Sequence, residues 1–580
     1  MATKEENRRA TISSGRSTFI IKRVEKEMSL LRQKIAYFSM EIALFNDIHT
    51  YSGGLGVLAG DTVRSSADLN IPLTAVTLIS RKGYFRQELT REGGQIEHPD
   101  PWNPLQFLQP LPEEVTVQIQ GRDVRVKAWL YTLKSVRGGE VPVYFLDTDV
   151  EGNSSEDREI TSFLYGGDER YRIKQEIVLG IGGVRMLEKL GVDVRKYHMN
   201  EGHSSFLALE LLRKHEMNVN KVRNMCVFTT HTPVEAGHDK FPYELVREYL
   251  GEFIPFDALK SLGGQGRLNM TLLALNLSNY VNGVAKKHKM TSREMFPSYE
   301  IHAITNGIHS YTWTYESFKR LYDKYLPGWA YEPEMLVRAE IIPDIEIWQA
   351  HMEAKKALID YVNAVANVGM DYETLTIGFA RRATEYKRHA LIFSDLERLK
   401  KVNNRGRIQL IFAGKAHPRD ETGKKLIEQI FSYKEILKDV IKIAYLENYD
   451  MNLAAKMVSG VDVWLNTPLP PMEASGTSGM KAAHNGVINF SVLDGWWIEG
   501  WIEGVTGWAI GPTPEENVST DERKTRELDD LYGKLEYVII PLYYKRRDEW
   551  IRIIKNSIEK IACHFNSHRM MHRYVTEAYL

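Results

Sequence analysis

Short apolar runs alternate with amphipathic stretches along most of the chain, and the alternation is cleanest in its second half. Leu375-Thr-Ile-Gly-Phe379, Ile408-Gln-Leu-Ile-Phe-Ala413, Ile441-Lys-Ile-Ala-Tyr-Leu446, Val461-Asp-Val-Trp-Leu465 and Val487-Ile-Asn-Phe490 read as buried strands. The stretches Asp395–Lys401 and Lys424–Ile430 between them carry helical spacing. Strand–helix alternation of this kind predicts βαβ units and a doubly wound parallel sheet. From Ile35 to about Trp313 the pattern repeats, with strands predicted at Leu73–Ile79, Val143–Leu146 and Val227–Thr230 and helices at Tyr171–Gly180 and Ser204–Leu212. A charged helical stretch from about Asp344 to Val368 connects the halves, and the opening to about Gln33 reads as a polar tail with a short amphipathic helix. Two α/β domains facing each other across a cleft are the simplest architecture, with ligands at the carboxyl ends of the strands.

Composition narrows the classes. A chain of 580 residues exceeds one hydrophobic core, and 43% hydrophobic with 26% charged residues describes a globular protein. A formal net charge of −1 argues against nucleic acid or an anionic membrane as the main partner. Cys226 and Cys563 lie far apart and give no disulfide framework, which suits a reducing cytoplasm. The first 20 residues hold no apolar core of a secretory signal, and apolar runs such as Tyr537–Ile540 are far too short to cross a bilayer. A soluble cytoplasmic protein is expected.

The most informative run is Pro471-Met-Glu-Ala-Ser-Gly-Thr-Ser-Gly-Met-Lys481, between the strand ending at Leu465 and a helix-compatible stretch, Ala482–Asn485. A strand, a loop of small polar residues and a helix start form a cradle for phosphate, because free N–H groups and the positive end of the helix dipole favour an anion. Lys481 at its edge can hold a phosphate directly or carry pyridoxal phosphate covalently. A P-loop is excluded, since G-x-x-x-x-G-K-[ST] is absent. Arg381, Arg382, Lys387 and Arg388 follow the strand ending at Phe379, where charges point into the cleft; Arg382 can grip phosphate with its fork and Lys387 can place a compact charge beside it. In Tyr51-Ser-Gly-Gly-Leu-Gly-Val-Leu-Ala59, Gly54, Gly56 and Ala59 fit G-x-G-x-x-A. No convincing strand immediately precedes it and the next strand ends in Ser-Arg-Lys82 instead of an acid, so the turn reads better as a close approach to an anion or sugar than as a dinucleotide site. His198, His203, His231, His238 and His309 recur near strand ends, but no H-E-x-x-H or C-x-x-C is present and no metal is expected.

Taken together the motifs Tyr37–Glu41, Gly53-Gly-Leu-Gly56, Asn200-Glu-Gly-His203, Thr230-His-Thr232, Thr305-Asn-Gly-Ile308, Glu385-Tyr-Lys-Arg388, Glu447-Asn-Tyr449, Glu473-Ala-Ser-Gly-Thr477 with Lys481, and Phe565–Met570 make the chain resemble an α-glucan phosphorylase, in a compact form of that family. The resemblance implies a GT-B fold of two Rossmann-like domains: a polar tail and helix over 1–34, an N-terminal domain over 35–340, a C-terminal domain over 341–555, and a last helix over 556–580 that crosses back. It implies pyridoxal phosphate on Lys481, its phosphate held by Thr477, Ser478 and Arg381, with Tyr449 beside it. It implies orthophosphate at Arg382, Lys387 and the backbone of Gly54 and Leu55. His231, Asn306, Glu473, Ser475 and Gly476 would take the glucosyl unit, with Tyr386 lining the site. The implied reaction converts an α-1,4-glucan and phosphate to glucose 1-phosphate with retention, the cofactor phosphate serving as acid/base group, and the implied assembly is a homodimer. Asp450 stands where the animal enzymes carry a basic residue, and Ser478-Gly479 where Gly-Asn is usual.

Two rivals share parts of this pattern. A nucleotide-sugar glycosyltransferase of the glycogen synthase type has the same fold, but carries a lysine near its Gly-Gly-Leu turn where this chain has Ser52, and has no use for a cofactor lysine. A glucan-binding protein without activity would keep the cleft but has no reason to keep Lys481, Lys387 and Arg382.

Overall fold

A computed structural model describes residues 33–580, so the expected N-terminal tail and helix lie, but for their last two residues, outside the described part. Among the described residues nineteen strands form four sheets. The strands are β1 Lys34–Ser39, β2 Leu73–Leu78, β3 Arg86–Leu89, β4 Gln95–His98, β5 Gln109–Ile119, β6 Arg122–Lys134, β7 Glu140–Asp147, β8 Val194–Asn200, β9 Cys226–Thr229, β10 Lys240–Pro242, β11 Arg267–Asn269, β12 Tyr280–Gly283, β13 His302–Ala303, β14 Leu375–Ala380, β15 Ile408–Ala413, β16 Lys442–Leu446, β17 Val463–Asn466, β18 Ile488–Val492 and β19 Gly507–Ile510.

The second large sheet has the order β16-β15-β14-β17-β18-β19 and is parallel throughout. Its strands are continuous apolar runs because helices cover both faces, and β14, β15, β17 and β18 are buried along their whole length. The chain crosses from β16 over to β17 on the far side of β14, so the order reverses between β14 and β17 and opens a crevice at their carboxyl ends.

The first large sheet, β13-β12-β9-β8-β1-β2-β7-β6-β5, adds an antiparallel edge to the parallel strands expected from the sequence. Strands from β13 to β7 run parallel, but β6 pairs antiparallel with β7 and β5 antiparallel with β6. Gln120 and Gly121 both adopt positive φ, giving the tight hairpin turn that joins β5 to β6. Much of β5 is exposed, as a strand at a sheet edge with one wet face should be. In this sheet the order reverses between β1 and β8.

Three features tie the halves together. The hairpin of β3 and β4 leaves the first half and docks on the second: Gln87 N–H donates to Asn448 Oδ1 at 3.2 Å, Asn448 N–H returns to Gln87 Oε1 at 2.9 Å, and Ala416 N–H reaches Gln95 Oε1 at 2.9 Å. The C-terminal segment returns to the first sheet, where Met570, Met571, Tyr574 and Tyr579 share a core with Ile35, Tyr37, Leu73 and Ala75. Asp68, ending the helix Gly54–Asp68, accepts hydrogen bonds from His309 Nε2 at 2.8 Å and His568 Nε2 at 3.0 Å. Phe318, Tyr322, Trp329 and Ile342 pack with Leu375, Ile377 and Phe379, the core of the second sheet. We therefore propose that the first domain ends near residue 314, earlier than the position 340 read from the sequence, and that it is completed by the C-terminal segment.

Inside the second core, Lys355 Nζ donates to Asp462 Oδ2 at 2.6 Å, to Thr374 O at 2.8 Å and to Tyr543 Oη at 2.8 Å. His351 Nε2 meets the other oxygen of Asp462 at 2.8 Å, and all three side chains are fully buried. Removing the anion from such a cluster strands a buried ammonium. Asp462→Ala is therefore expected to lower unfolding stability by about 3–5 kcal/mol, read from the urea midpoint; an unchanged midpoint would mean that the cluster is relaxed or hydrated.

Candidate functional site

The crevices at the carboxyl ends of the two large sheets face each other and merge into one cavity of about 1000 Å³. The turn after β1 and the start of the helix Gly54–Asp68 bring Gly54 and Leu55 to it; the loop after β9 brings His231, and the turn after β13 brings Asn306. From the other side, β14 runs directly into Arg381 and Arg382 and a short turn carries Tyr386 and Lys387. Tyr449 follows β16, while the loop after β17 supplies Glu473, Ser475, Gly476 and Thr477. Ser478 and Lys481 lie in the helix Ser478–His484. The residues that the resemblance assigns to cofactor, phosphate and glucosyl unit thus line one cavity, but Arg388 does not: its guanidinium turns away to Glu527 and to the carbonyls of Thr467 and Pro468.

The helix begins earlier than the sequence reading had it, at Ser478 instead of about Ala482, so Lys481 stands within its first turns and not at the loop edge. Thr477 is the N-cap yet, among the described residues, its side chain makes no capping hydrogen bond, which leaves the helix's first N–H groups and the Thr477 hydroxyl open. Gly476 holds φ +76°, a conformation that favours glycine and turns the chain into the helix. A Cβ at Gly54 would meet nothing within 4 Å, so that glycine opens the mouth of the helix Gly54–Asp68 toward the cavity.

Charge dominates the middle of the cavity. Arg381 Nη2 and Lys387 Nζ both lie 2.6 Å from a single oxygen, Oε2 of Glu473, and all three side chains are at most 9% exposed. Burial alone would raise the Glu473 carboxyl, but the charges of Arg381 and Lys387 outweigh it and hold it at about 2. Asp494 accepts from the Glu473 N–H at 2.9 Å, and burial, with the Glu473 charge adding, pushes its carboxyl up to about 7. Arg382 is open to the cleft. Confinement lowers its basicity, but the neighbouring Tyr84, Glu41 and Tyr386 together raise it.

Lys481 is buried, and burial pulls its amine down to about 8 against the pull of Asp61. Its Nζ lies 3.7 Å from the centre of the Trp313 ring and, among the described residues, makes no salt bridge. His231 is kept neutral by burial, which lowers it to about 3. Asn200 Nδ2 donates to Ser39 Oγ, whose own proton goes to Glu41 O, so the Asn200 Oδ1 faces His231 Nε2 at 2.7 Å and accepts its proton. Nδ1 of His231 is thereby left as an acceptor. Asn306 Oδ1, Ser475 Oγ and Arg381 Nη1 are buried without a partner among the described residues, as groups built to meet a ligand would be.

This set fits pyridoxal phosphate: a buried amine poised near neutrality for a carbonyl, an open helix start, an uncapped threonine and a half-used guanidinium for its phosphate. Ser478 Oγ accepts from Trp464 Nε1 at 3.0 Å and keeps its proton to donate. Asp450 has a structural task here, capping the helix Met451–Gly460 through Leu453 N–H at 2.8 Å. The sequence reading passed over Glu41, Lys415 and Asp494. Lys415 follows β15 and lines the cavity, where the rule that found Arg381 would also have found it. Asp494 gave no signal beyond its aromatic neighbours.

Comparison with known proteins followed the same lines. A sequence profile of the family described as carbohydrate phosphorylase matches residues 256–507. The chain is 43% identical to the maltodextrin phosphorylase of Thermococcus litoralis, over 94% of this chain and 70% of that protein. It is 37% identical to the glycogen phosphorylase of Aquifex aeolicus, over 94% of this chain and 86% of that protein, and 36% identical to the glycogen phosphorylase of Mycobacterium tuberculosis, over 94% and 70%.

The Glu473 carboxyl has a signed consequence. Its pKa in the fold lies below the ordinary carboxylate value, so its pairing stabilises the fold above about pH 4.5 and is lost as pH falls toward about 2. Chemical denaturation across that window is expected to show wild type losing stability more steeply than Glu473→Gln; parallel losses would mean the pair contributes nothing.

Proposed function

The chain belongs to the carbohydrate phosphorylase family, and from that premise we propose that it catalyses the reversible phosphorolysis of α-1,4-glucans. The terminal glucose of glycogen, starch or maltodextrin would leave as glucose 1-phosphate with retained configuration. Relatives named maltodextrin phosphorylase and glycogen phosphorylase support the reading. The observation that carries it is the meeting, in one cavity, of a buried lysine with no ion-pair partner among the described residues and a cationic pair closed on one carboxylate.

Lys481 would hold pyridoxal phosphate, with Thr477, Ser478 and Arg381 around its phosphate and Tyr449 against it. When bound, the cofactor supplies an acid/base group through its 5′-phosphate. Lys387 and Arg382, with the backbone N–H groups of Gly54 and Leu55, would hold orthophosphate and offset its repulsion from a second anion. His231, Asn306, Glu473, Ser475 and Gly476 would orient the glucosyl unit, with Tyr386 lining its pocket. Orthophosphate would protonate the leaving glycosidic oxygen as the C1–O bond breaks. One of its oxygens would then bond to C1 on the same face of the oxocarbenium-like sugar, which gives retention. In this scheme a carboxylate pair is not required, because the substrate phosphate brings the proton.

Among the described residues no helix is long and apolar enough to cross a membrane. The two free cysteines support a cytoplasmic location. A homodimer is proposed from the family resemblance, and sedimentation as a 66.7 kDa monomer would exclude it.

Two substitutions test the assignment. Lys481→Ala is expected to leave a folded protein that no longer retains a pyridoxal absorbance band and releases no glucose 1-phosphate from maltodextrin; normal turnover would make Lys481 structural. Lys387→Ala is expected to cut kcat/KM for phosphate by about 100-fold or more while leaving glucan affinity nearly unchanged. Equal losses for both substrates would remove Lys387 from the phosphate site.

A further inference from the structure

We propose that Arg569 is a positioning residue for the glucosyl pocket, acting from the C-terminal segment through the turn that carries Asn306. The proposal rests on the reading of the cleft as a phosphorylase site and extends it to a residue outside the cavity.

Thr305–Ile308 follows the two-residue strand β13 and has no regular structure of its own, so something else must fix it. Asn306 is only 4% exposed and its Oδ1 lacks a partner among the described residues, so this side chain works only if its backbone is held still. Asn306 N–H donates to Val284 O at 3.1 Å, and the guanidinium of Arg569 holds the carbonyl side of the turn. Nη1 donates to Thr305 O at 2.8 Å and Nη2 to Asn306 O at 2.9 Å, so the planar fork spans two consecutive carbonyls. Its third donor, Nε, reaches His564 O at 2.9 Å, which fixes the fork in its own segment. Backbone bonds continue the seam: Ile308 N–H donates to Phe565 O at 3.2 Å and Ser567 N–H to Ile308 O at 2.8 Å.

The two segments touch so closely that a Cβ on Gly307 would come within 2.1 Å of Asn566 O. Glu499 completes the clamp by accepting from Thr305 Oγ1 at 2.9 Å, and it partly balances the half-buried guanidinium. A lysine could not replace Arg569, because one ammonium on a flexible stem cannot present two parallel donors to neighbouring carbonyls. The arrangement gives the returning C-terminal segment a task in catalysis beyond closing the first core. It holds the floor of the sugar pocket at a set height relative to the helix Gly54–Asp68, which the neighbouring His568 also grips through Asp68.

A double-mutant cycle in the synthetic direction tests this, with glucose 1-phosphate varied at saturating maltodextrin and pyridoxal phosphate bound. Asn306→Ala alone is expected to lower kcat/KM for glucose 1-phosphate about 100-fold, the order expected when a site built to hold a hydroxyl loses its partner. Arg569→Lys is expected to cost about 10-fold in the wild-type background but less than about 2-fold beside Asn306→Ala, with KM for maltodextrin unchanged in both. Arg569→Gln carries the same cycle if the lysine variant does not fold. Equal costs in the two backgrounds would make Arg569 a general structural residue and overturn the proposal, while leaving the phosphorylase reading intact. Unchanged kinetics in Asn306→Ala would instead remove the glucosyl reading itself, and the proposal with it.

Discussion

Two cations share one carboxylate oxygen at the centre of this protein, and the cleft is organised around that contact. Arg381 and Lys387 come from the end of β14 and Glu473 from the loop after β17, so the ion pairs bridge the point where the second sheet reverses its strand order. Like charges this close, with little water, repel strongly unless an anion lies between them. Glu473 fills that need. In the proposed reaction a phosphate would take over part of the task without rebuilding the site, since the cations are already desolvated and aimed.

The surrounding architecture keeps that cluster aligned with the opposite wall. Gly54 and the helix it starts approach from the first sheet, the β3–β4 hairpin latches onto the loops after β15 and β16, and the C-terminal segment returns beneath the Thr305–Ile308 turn. Lys481 stands in a short helix with a depressed amine and an aromatic face under it, while Asn306, Ser475 and Arg381 each keep a buried polar atom free. Unsatisfied cleft atoms are what a binding site requires, because polar groups left unpaired by the fold gain most from a ligand.

Much of this was legible in the sequence for a simple reason. Central parallel strands must be apolar throughout, so β14 to β18 announce themselves, and residues just after them tend to face the crevice; Arg381 and Lys387 were found by that rule, Glu473 only through the family resemblance, and Arg388 breaks the rule by pairing with Glu527. Edge structure was less legible. Strands β5 and β6 are half-wet and their antiparallel pairing depends on a two-residue turn, so periodicity alone did not separate them from loops. The early start of the helix at Ser478 was hidden because Ser, Gly and Thr are weak helix formers whose conformation is set by the packed ends around them. The roles of Arg569 and of Asp68 with its two histidines depend on contacts between segments hundreds of residues apart, which no local pattern carries.

The most direct test of the account is a high-resolution crystal structure of the protein loaded with pyridoxal phosphate and soaked in orthophosphate. The account requires cofactor density continuous with Lys481 Nζ and an orthophosphate hydrogen-bonded to Lys387 and Arg382, with Lys387 drawn away from Glu473. An orthophosphate bound outside the cavity, with Arg381 and Lys387 still closed on Glu473, would contradict it.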